Sequence, residues 1–270
     1  MHATRPACPL CASTDSTRFL ALDHRAVVRC GACGLVYCSA YEEEALRRAY
    51  GESYYPAGGE AGMRKWNERH APVWAGLVAD LARRAPAIDS LLDLGAGTGG
   101  FLAVFRARFP KARLHAVESA PRARAWLEGN FPDLTFPCQE AGDLGQCAER
   151  YEAVTMLQCL EHVPDPRRLC ADVYGRLKEG GILLVTVPNR FSYRAFLRGT
   201  ADPFCYGNPT HLQFFSAGTL RRMLREAGFQ MVARIARWGG GGAGALGTLP
   251  QYAARVLGVS SELRFIAAKP

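Results

Sequence analysis

Lysine is scarce in this chain: Lys65, Lys111, Lys178 and Lys269 are the only four among 33 basic residues. The rest are arginines, dispersed in pairs such as Arg47-Arg48, Arg83-Arg84, Arg167-Arg168 and Arg221-Arg222. A net charge of +8 would suit an anionic partner. No contiguous basic tract interleaved with aromatics is present, so solvated helix faces are expected rather than a nucleic-acid footprint. Also missing is an apolar run long enough to cross a bilayer, which argues against a helical membrane protein. Met1 to Pro6 carry no apolar leader core, and the expectation is a cytoplasmic protein in a reducing compartment. Internal repeats are absent, and the one low-complexity stretch, Gly239–Gly244, reads as a flexible connector. The remaining composition, 49% hydrophobic and 21% charged, is ordinary for a globular chain. At 270 residues it can hold one large core with a small appendage.

Cysteine, by contrast, is plentiful, with ten in the chain. Four form two knuckles, Cys8-x-x-Cys11 and Cys30-x-x-Cys33, separated by a spacer in the range of zinc ribbons. Each knuckle aims two thiolates at one ion, and two knuckles complete a tetrahedron with no position left for substrate. The spacing therefore predicts a structural zinc held by Cys8, Cys11, Cys30 and Cys33, in a ribbon over residues 1–40. Disulfides are the alternative, which a reducing compartment opposes. His24 and Cys38 are spare donors nearby. Cys138, Cys147, Cys159, Cys170 and Cys205 have no ligand spacing and read as small hydrophobes.

A helical lead-in is expected over residues 41–87. Tyr41–Tyr50 has helical character, Gly51–Pro56 breaks it, and the pair Tyr54-Tyr55 can line a pocket or staple two parts of the chain. A second helix from about Lys65 to Arg84 presents Trp66, Val73, Trp74, Leu77, Val78 and Leu81 as an apolar stripe. From residue 88 to 270 strand and helix alternate. Strands are expected at Ser90–Leu94, Arg113–Val117, Leu134–Phe136, Ala153–Leu157 and Gly181–Val187. Continuous apolar runs of this kind imply a parallel sheet buried on both faces, an α/β, doubly wound architecture. A helix over Ala217–Ala227 follows, then strands at Gln230–Ala236 and Leu263–Ala267, with a short helix over Leu249–Val256 between them.

The first of these strands stops at Gly95-Ala96-Gly97-Thr98-Gly99-Gly100, where a helix opens. Glycines at such a turn let the backbone approach a ligand. About 20 residues further on, the second strand ends in Glu118, a spacing that suits a carboxylate accepting the hydroxyls of a ribose. Asp93, just before the turn, disfavours a pyrophosphate and favours a cofactor that is cationic at that point. Leu92-Asp93-Leu94-Gly95-Ala96-Gly97-Thr98-Gly99 resembles the first motif of class I S-adenosylmethionine-dependent methyltransferases. That resemblance implies a Rossmann-like seven-stranded sheet with an antiparallel last strand. It also implies S-adenosylmethionine as cofactor, bound by Asp93, Gly95, Ala96, Gly97, Gly99 and Glu118. An acidic residue after the third strand, Glu140 or else Asp143, would meet the adenine, and Gln158 would line the site after the fourth.

Glu161-His162-Val163-Pro164-Asp165-Pro166 resembles an element that follows the fourth strand in small-molecule methyltransferases. The tetrad of nucleobase-amine methyltransferases is absent there. His162 therefore sits at a strand tip, as a base or as a helix-start histidine bonded to its neighbours. His211, in Asn208–Ser216, matches the last histidine of a loop in deoxysugar C-methyltransferases, which also carry a zinc ribbon. Thr210 stands where that loop has glutamate, so O- or N-methylation with His211 as general base is the simpler expectation. The whole reads as an enzyme moving a methyl group from S-adenosylmethionine to an O, N or C atom of a small-molecule acceptor, a natural-product intermediate or a sugar. A zinc-ribbon RNA methyltransferase and a non-catalytic cofactor-binding protein are the alternatives. The sequence does not specify the oligomeric state.

Overall fold

Two sheets organise the chain in the computed structural model, which describes residues 2–4, 7–22, 25–50, 59–235 and 259–270. The first is built from β1 (His2–Thr4), β2 (Ser16–Leu22), β3 (Arg25–Cys30) and β4 (Val36–Glu42). Helices α1 (Glu43–Tyr50) and α2 (Gly59–Arg84) lead into the second sheet. There β5 (Ser90–Leu94), α3 (Gly100–Arg108), β6 (Arg113–Val117), α4 (Pro121–Asn130), β7 (Tyr151–Leu157), α5 (Pro166–Arg176) and β8 (Leu177–Pro188) alternate. The chain continues through α6 (Tyr193–Arg198), β9 (Gln213–Phe214), α7 (Ala217–Glu226), β10 (Met231–Arg234) and β11 (Glu262–Ala268). Expectations for His24, Tyr54-Tyr55, the Gly239–Gly244 connector and a helix over Leu249–Val256 lie outside the described residues.

The larger sheet runs β10-β11-β8-β7-β5-β6. Strands β5 to β8 are parallel, and β11 lies antiparallel between β8 and β10. Strand order reverses at β5, with β6 on one side and β7 on the other, the position at which open α/β sheets bind ligands beyond the carboxyl ends of their strands. The expected third strand, Leu134–Phe136, is reduced to one parallel bridge between Thr135 and His115, leaving six strands in this sheet among the described residues where seven were expected. Pro132 and Pro137 flank it, and proline removes a ladder donor and restricts the residue before it.

Every β5 residue is buried, and its side chains alternate between two cores. On one face Leu91 joins Leu77 and Leu81 of α2 and Phe101, Leu102 and Phe105 of α3. On the other, Leu92 and Leu94 join Leu169 and Val173 of α5 and Leu220 and Met223 of α7. Proline at the start of α4 and α5 supplies a preset dihedral, and the Asp165 side chain caps α5 by accepting from Arg168 N at 3.0 Å. Ser216 and Thr219 form a capping box at α7.

The expected stripe on α2 holds only in its second half. Leu77, Val78 and Leu81 are buried, whereas Trp66 and Val73 are 43% and 40% exposed. Trp66 instead stacks on His70, ring centroids 3.9 Å apart, an i,i+4 pair on the helix's own surface. The expected helix at Tyr41 begins only at Glu43, because Tyr41 and Glu42 extend β4 and pair with β1 and β3.

The smaller sheet does not stop at the expected ribbon. Its order is β1-β4-β3-β2, and β9, from far along the chain, pairs antiparallel with β4 through Val36 with Phe214 and Tyr37 with Gln213. Cys8, Leu10, Cys30, Leu35 and Tyr37 belong to the same apolar cluster as the α5 and α7 face of the large sheet.

Candidate functional site

The turn after β5 is held open by three left-handed glycines, Gly95, Gly97 and Gly99, at φ of 76°, 56° and 71°. Gly99 is also tightly enclosed: a Cβ there would lie 2.6 Å from the Phe131 ring and 2.7 Å from Leu127. Gly95 N and Ala96 N donate to Val117 O at 2.8 and 3.2 Å, which ties the turn to the end of β6. Glu118 completes the join. One of its carboxylate oxygens accepts from Gly97 N at 2.8 Å and the other from Ala120 N at 2.8 Å. It is only 6% exposed.

Asp93 lies beneath this turn, where its carboxylate accepts the Thr155 hydroxyl from the neighbouring strand at 2.6 Å. Burial pushes its pKa up to about 7 against the help of that hydroxyl, and the nearby charge of Glu118 adds to the rise. Thr98 anchors the far side of the turn. Its carbonyl accepts from Asn67 at 3.2 Å and from the Trp126 indole at 3.0 Å, while its hydroxyl donates to the Asn67 side chain.

Gln158 has a left-handed backbone, φ 55°. Its side-chain amide donates to Thr186 Oγ1 at 3.2 Å and Glu262 Oε1 at 2.9 Å, so it is held along β8 and β11. Cys159, next to it, sits where a Cβ on Gly95 would come within 3.3 Å of its sulfur. Glu140 is exposed and precedes a turn of 3-10 helix, Ala141–Gln146. The turn, Asp93, Glu118 and the Gln158 segment therefore gather at the carboxyl ends of β5, β6 and β7, and Glu140 is exposed.

A second cluster follows β7. His162 Nε2 and His211 Nε2 lie 3.9 and 4.0 Å from Glu161 Oε1, and the two imidazoles meet edge to face at 4.7 Å. Each ring is oriented through its other nitrogen: His162 Nδ1 bonds Thr210 O at 3.1 Å and His211 Nδ1 bonds Cys205 O at 2.9 Å. Burial holds His162 down to about 4 and His211 well below the usual histidine range, and it raises Glu161 well above the usual carboxyl range. The backbone joins the two segments too, since Leu212 N donates to Glu161 O at 2.8 Å. Both expected histidines are thus brought together, as neutral, enclosed rings.

The four knuckle cysteines converge on one point. Their sulfurs lie within 4.8 Å of one another, with Cys8 to Cys33 and Cys11 to Cys30 each at 3.5 Å. A tetrahedral zinc with Zn–S near 2.3 Å sets sulfurs about 3.8 Å apart, whereas a disulfide needs about 2.05 Å. The donor set fits the metal and not the disulfide.

Several contributors escaped the sequence. Glu161 was adjacent to His162 in a motif already singled out, yet nothing local pairs it with a histidine fifty positions away. Asn67, Trp126 and Thr155 reach the glycine turn from other elements. Arg25 reaches the His211 loop, not the glycine turn, from the small sheet, donating to the carbonyls of Asn208, His211 and Tyr206 at 2.8, 2.9 and 3.2 Å.

A family model described as a methyltransferase domain matches residues 66–234. The chain is 32% identical over 138 residues to a trans-aconitate 2-methyltransferase of Deinococcus radiodurans, covering 46% of this chain and 52% of that protein. It is 31% identical over 160 residues to a ubiquinone biosynthesis O-methyltransferase of Xanthomonas axonopodis pv. citri, covering 56% and 66%. The matches span about half to two thirds of the length of these curated relatives. The solved plantazolicin methyltransferase BpumL in complex with SAH shares the fold, with TM-score 0.57 at 14% identity over 84% of this chain and 97% of that one.

Proposed function

The chain belongs to the methyltransferase-domain family, and from that premise we propose that it transfers a methyl group from S-adenosylmethionine to an O, N or C atom of a small-molecule acceptor. The observation that carries this reading is the carboxylate of Glu118, tied by Gly97 N to a turn of left-handed glycines. A carboxylate has about four acceptor sites, so after two backbone bonds it retains two for the hydroxyls of a ribose. Gly95, Ala96, Gly97 and Gly99 would let the backbone approach the cofactor, and Asp93 would meet its cationic end. Glu140 is assigned to the adenine and Gln158 to the crevice wall.

S-adenosylmethionine, when bound, supplies an electrophilic methyl on a sulfonium that is already a good leaving group. The protein's task is then mainly alignment, a contribution of several kcal/mol. His211 and His162, held neutral, can receive a proton from an acceptor hydroxyl or amine through Nε2. Relatives named for trans-aconitate and ubiquinone biosynthesis support a small acceptor. The four-cysteine cluster is assigned a structural zinc.

Calorimetric titration of S-adenosylmethionine, S-adenosylhomocysteine and NAD, with Glu118→Ala alongside, tests the reading. Binding of both sulfur compounds, lost in the variant, supports it. Binding of NAD alone, or of none, would sink it.

A further inference from the structure

We propose that Glu161, His162 and His211 form a binding site for a divalent first-row transition-metal ion, zinc foremost, separate from the four-cysteine cluster. The inference rests on the donors and their surroundings alone and leaves the cofactor reading untouched. With an ion bound, however, the two Nε2 atoms are ligands and not proton acceptors, so it replaces the assignment of these histidines as bases.

Three observations converge on it. One ligand atom from each of the three side chains lies within 4.8 Å of the other two. Both imidazoles turn Nε2 inward while Nδ1 faces a backbone carbonyl. That is the arrangement by which metal-bound histidines are fixed in tautomer and orientation. Finally, Glu161 is fully buried, and neither carboxylate oxygen has a hydrogen-bond partner among the described residues. An orphaned buried carboxyl is costly, and such a group calls for an explanation such as a bound ion.

The distances are close to what an ion requires. Zinc–nitrogen and zinc–oxygen bonds near 2.1 Å place tetrahedral donors about 3.4 Å apart, so the observed 3.9 and 4.0 Å close with small side-chain rotations. A proton shared between Glu161 and one ring would satisfy only that pair and would need a separation below about 3.2 Å. Two imidazoles and one carboxylate suit zinc and its first-row neighbours better than magnesium or calcium. Three protein ligands leave a fourth position, available to water or to an oxygen of an acceptor. The supporting frame joins two distant segments: Leu212 N bonds Glu161 O, and Arg25 bonds His211 O.

The experiment counts ions on the full chain. Protein refolded with zinc and dialysed is measured by elemental analysis, and cadmium-113 NMR and cobalt spectra are recorded after exchange. Expected are two ions per chain, with one cadmium resonance in the all-sulfur range and another in the nitrogen–oxygen range. Glu161→Gln and His211→Gln should each lose the second ion and keep the thiolate-to-cobalt band of the first. A wild-type chain with no nitrogen–oxygen resonance overturns the proposal, as does a second ion that persists in both variants. Should the variants misfold, the wild-type cadmium spectrum still decides. S-adenosylmethionine titrated into the same preparation shows separately whether the cofactor reading survives.

Discussion

The guanidinium of Arg25, on a strand of the four-cysteine sheet, donates to the backbone carbonyl of His211 at 2.9 Å. The same group holds the carbonyls of Asn208 and Tyr206, and Cys38 Sγ donates to His211 O at 3.5 Å. With β9 paired to β4, the cysteine sheet is the wall against which the His211 loop is laid. Hydrogen bonds from a charged donor contribute about 1.5–3 kcal/mol each where they are well made. Arg25→Ala should therefore destabilise the protein by about 2–4 kcal/mol, read as a lower urea midpoint. Arg25→Lys should recover only part of this, because an ammonium lacks the planar fork. An unchanged midpoint in Arg25→Ala would mean the loop is held without the clamp.

At Gly99 a methyl group meets both a disfavoured left-handed dihedral and a filled space. Left-handed backbone costs a residue with a Cβ roughly 1–2 kcal/mol, and overpacking against Phe131 and Leu127 adds roughly 1–3 kcal/mol. Gly99→Ala should lose about 2–4 kcal/mol of stability and weaken S-adenosylmethionine binding, checked by denaturation and calorimetry. Wild-type values for both would refute the tight enclosure.

Asp93 makes stability and binding depend on pH. Its folded pKa, about 7, lies above the unfolded value near 3.9. The group's contribution is therefore fully present below about pH 4 and lost as pH rises through 7. The loss approaches about 4 kcal/mol as an upper bound. Asp93→Asn should flatten the fall in urea midpoint between pH 5 and pH 8. Near pH 7, a cationic cofactor should ionise Asp93 and release a proton, visible as a binding enthalpy that varies with the buffer. If Asp93→Asn keeps that buffer dependence, the proton comes from elsewhere.

Metal removal should act first on the knuckles. Cys38, Cys170 and Cys205 are buried and should stay unreactive in the folded chain. Chelation should raise the number of thiols that react rapidly with a colorimetric disulfide by the four of the cluster. It should also lower thermal stability through the β4–β9 pairing. No change in reactive thiols on chelation would count against a metal held by these cysteines.

The large sheet was readable because its central strands are buried on both faces and therefore appear as unbroken apolar runs. Ser90–Leu94 and Arg113–Val117 form strands at the boundaries their pattern suggested. Leu134–Phe136 was apolar enough for a strand, but its flanking prolines leave room for one bridge only. Strand β9 had no such signature, since two residues cannot show a period, and its partner lies far away in the chain. Trp66 and Val73 matched the helical stripe because periodicity reports which face a residue is on, not whether anything covers it.

What the sequence determined by itself was local: the spacing of thiols, the glycines of a turn, the acid at the tip of the next strand, and the order of strands and helices. Each of these is set by neighbours a few residues away, through backbone dihedrals and apolar period. Tertiary structure alone decided that Arg25 grips the loop of His211, that Asn67 and Trp126 brace the glycine turn, and that Glu161 meets two histidines. Those contacts join segments dozens to nearly two hundred residues apart. Only folding makes them neighbours, because closing such long loops is driven by burial of the shared cores and not by any local preference of the chain.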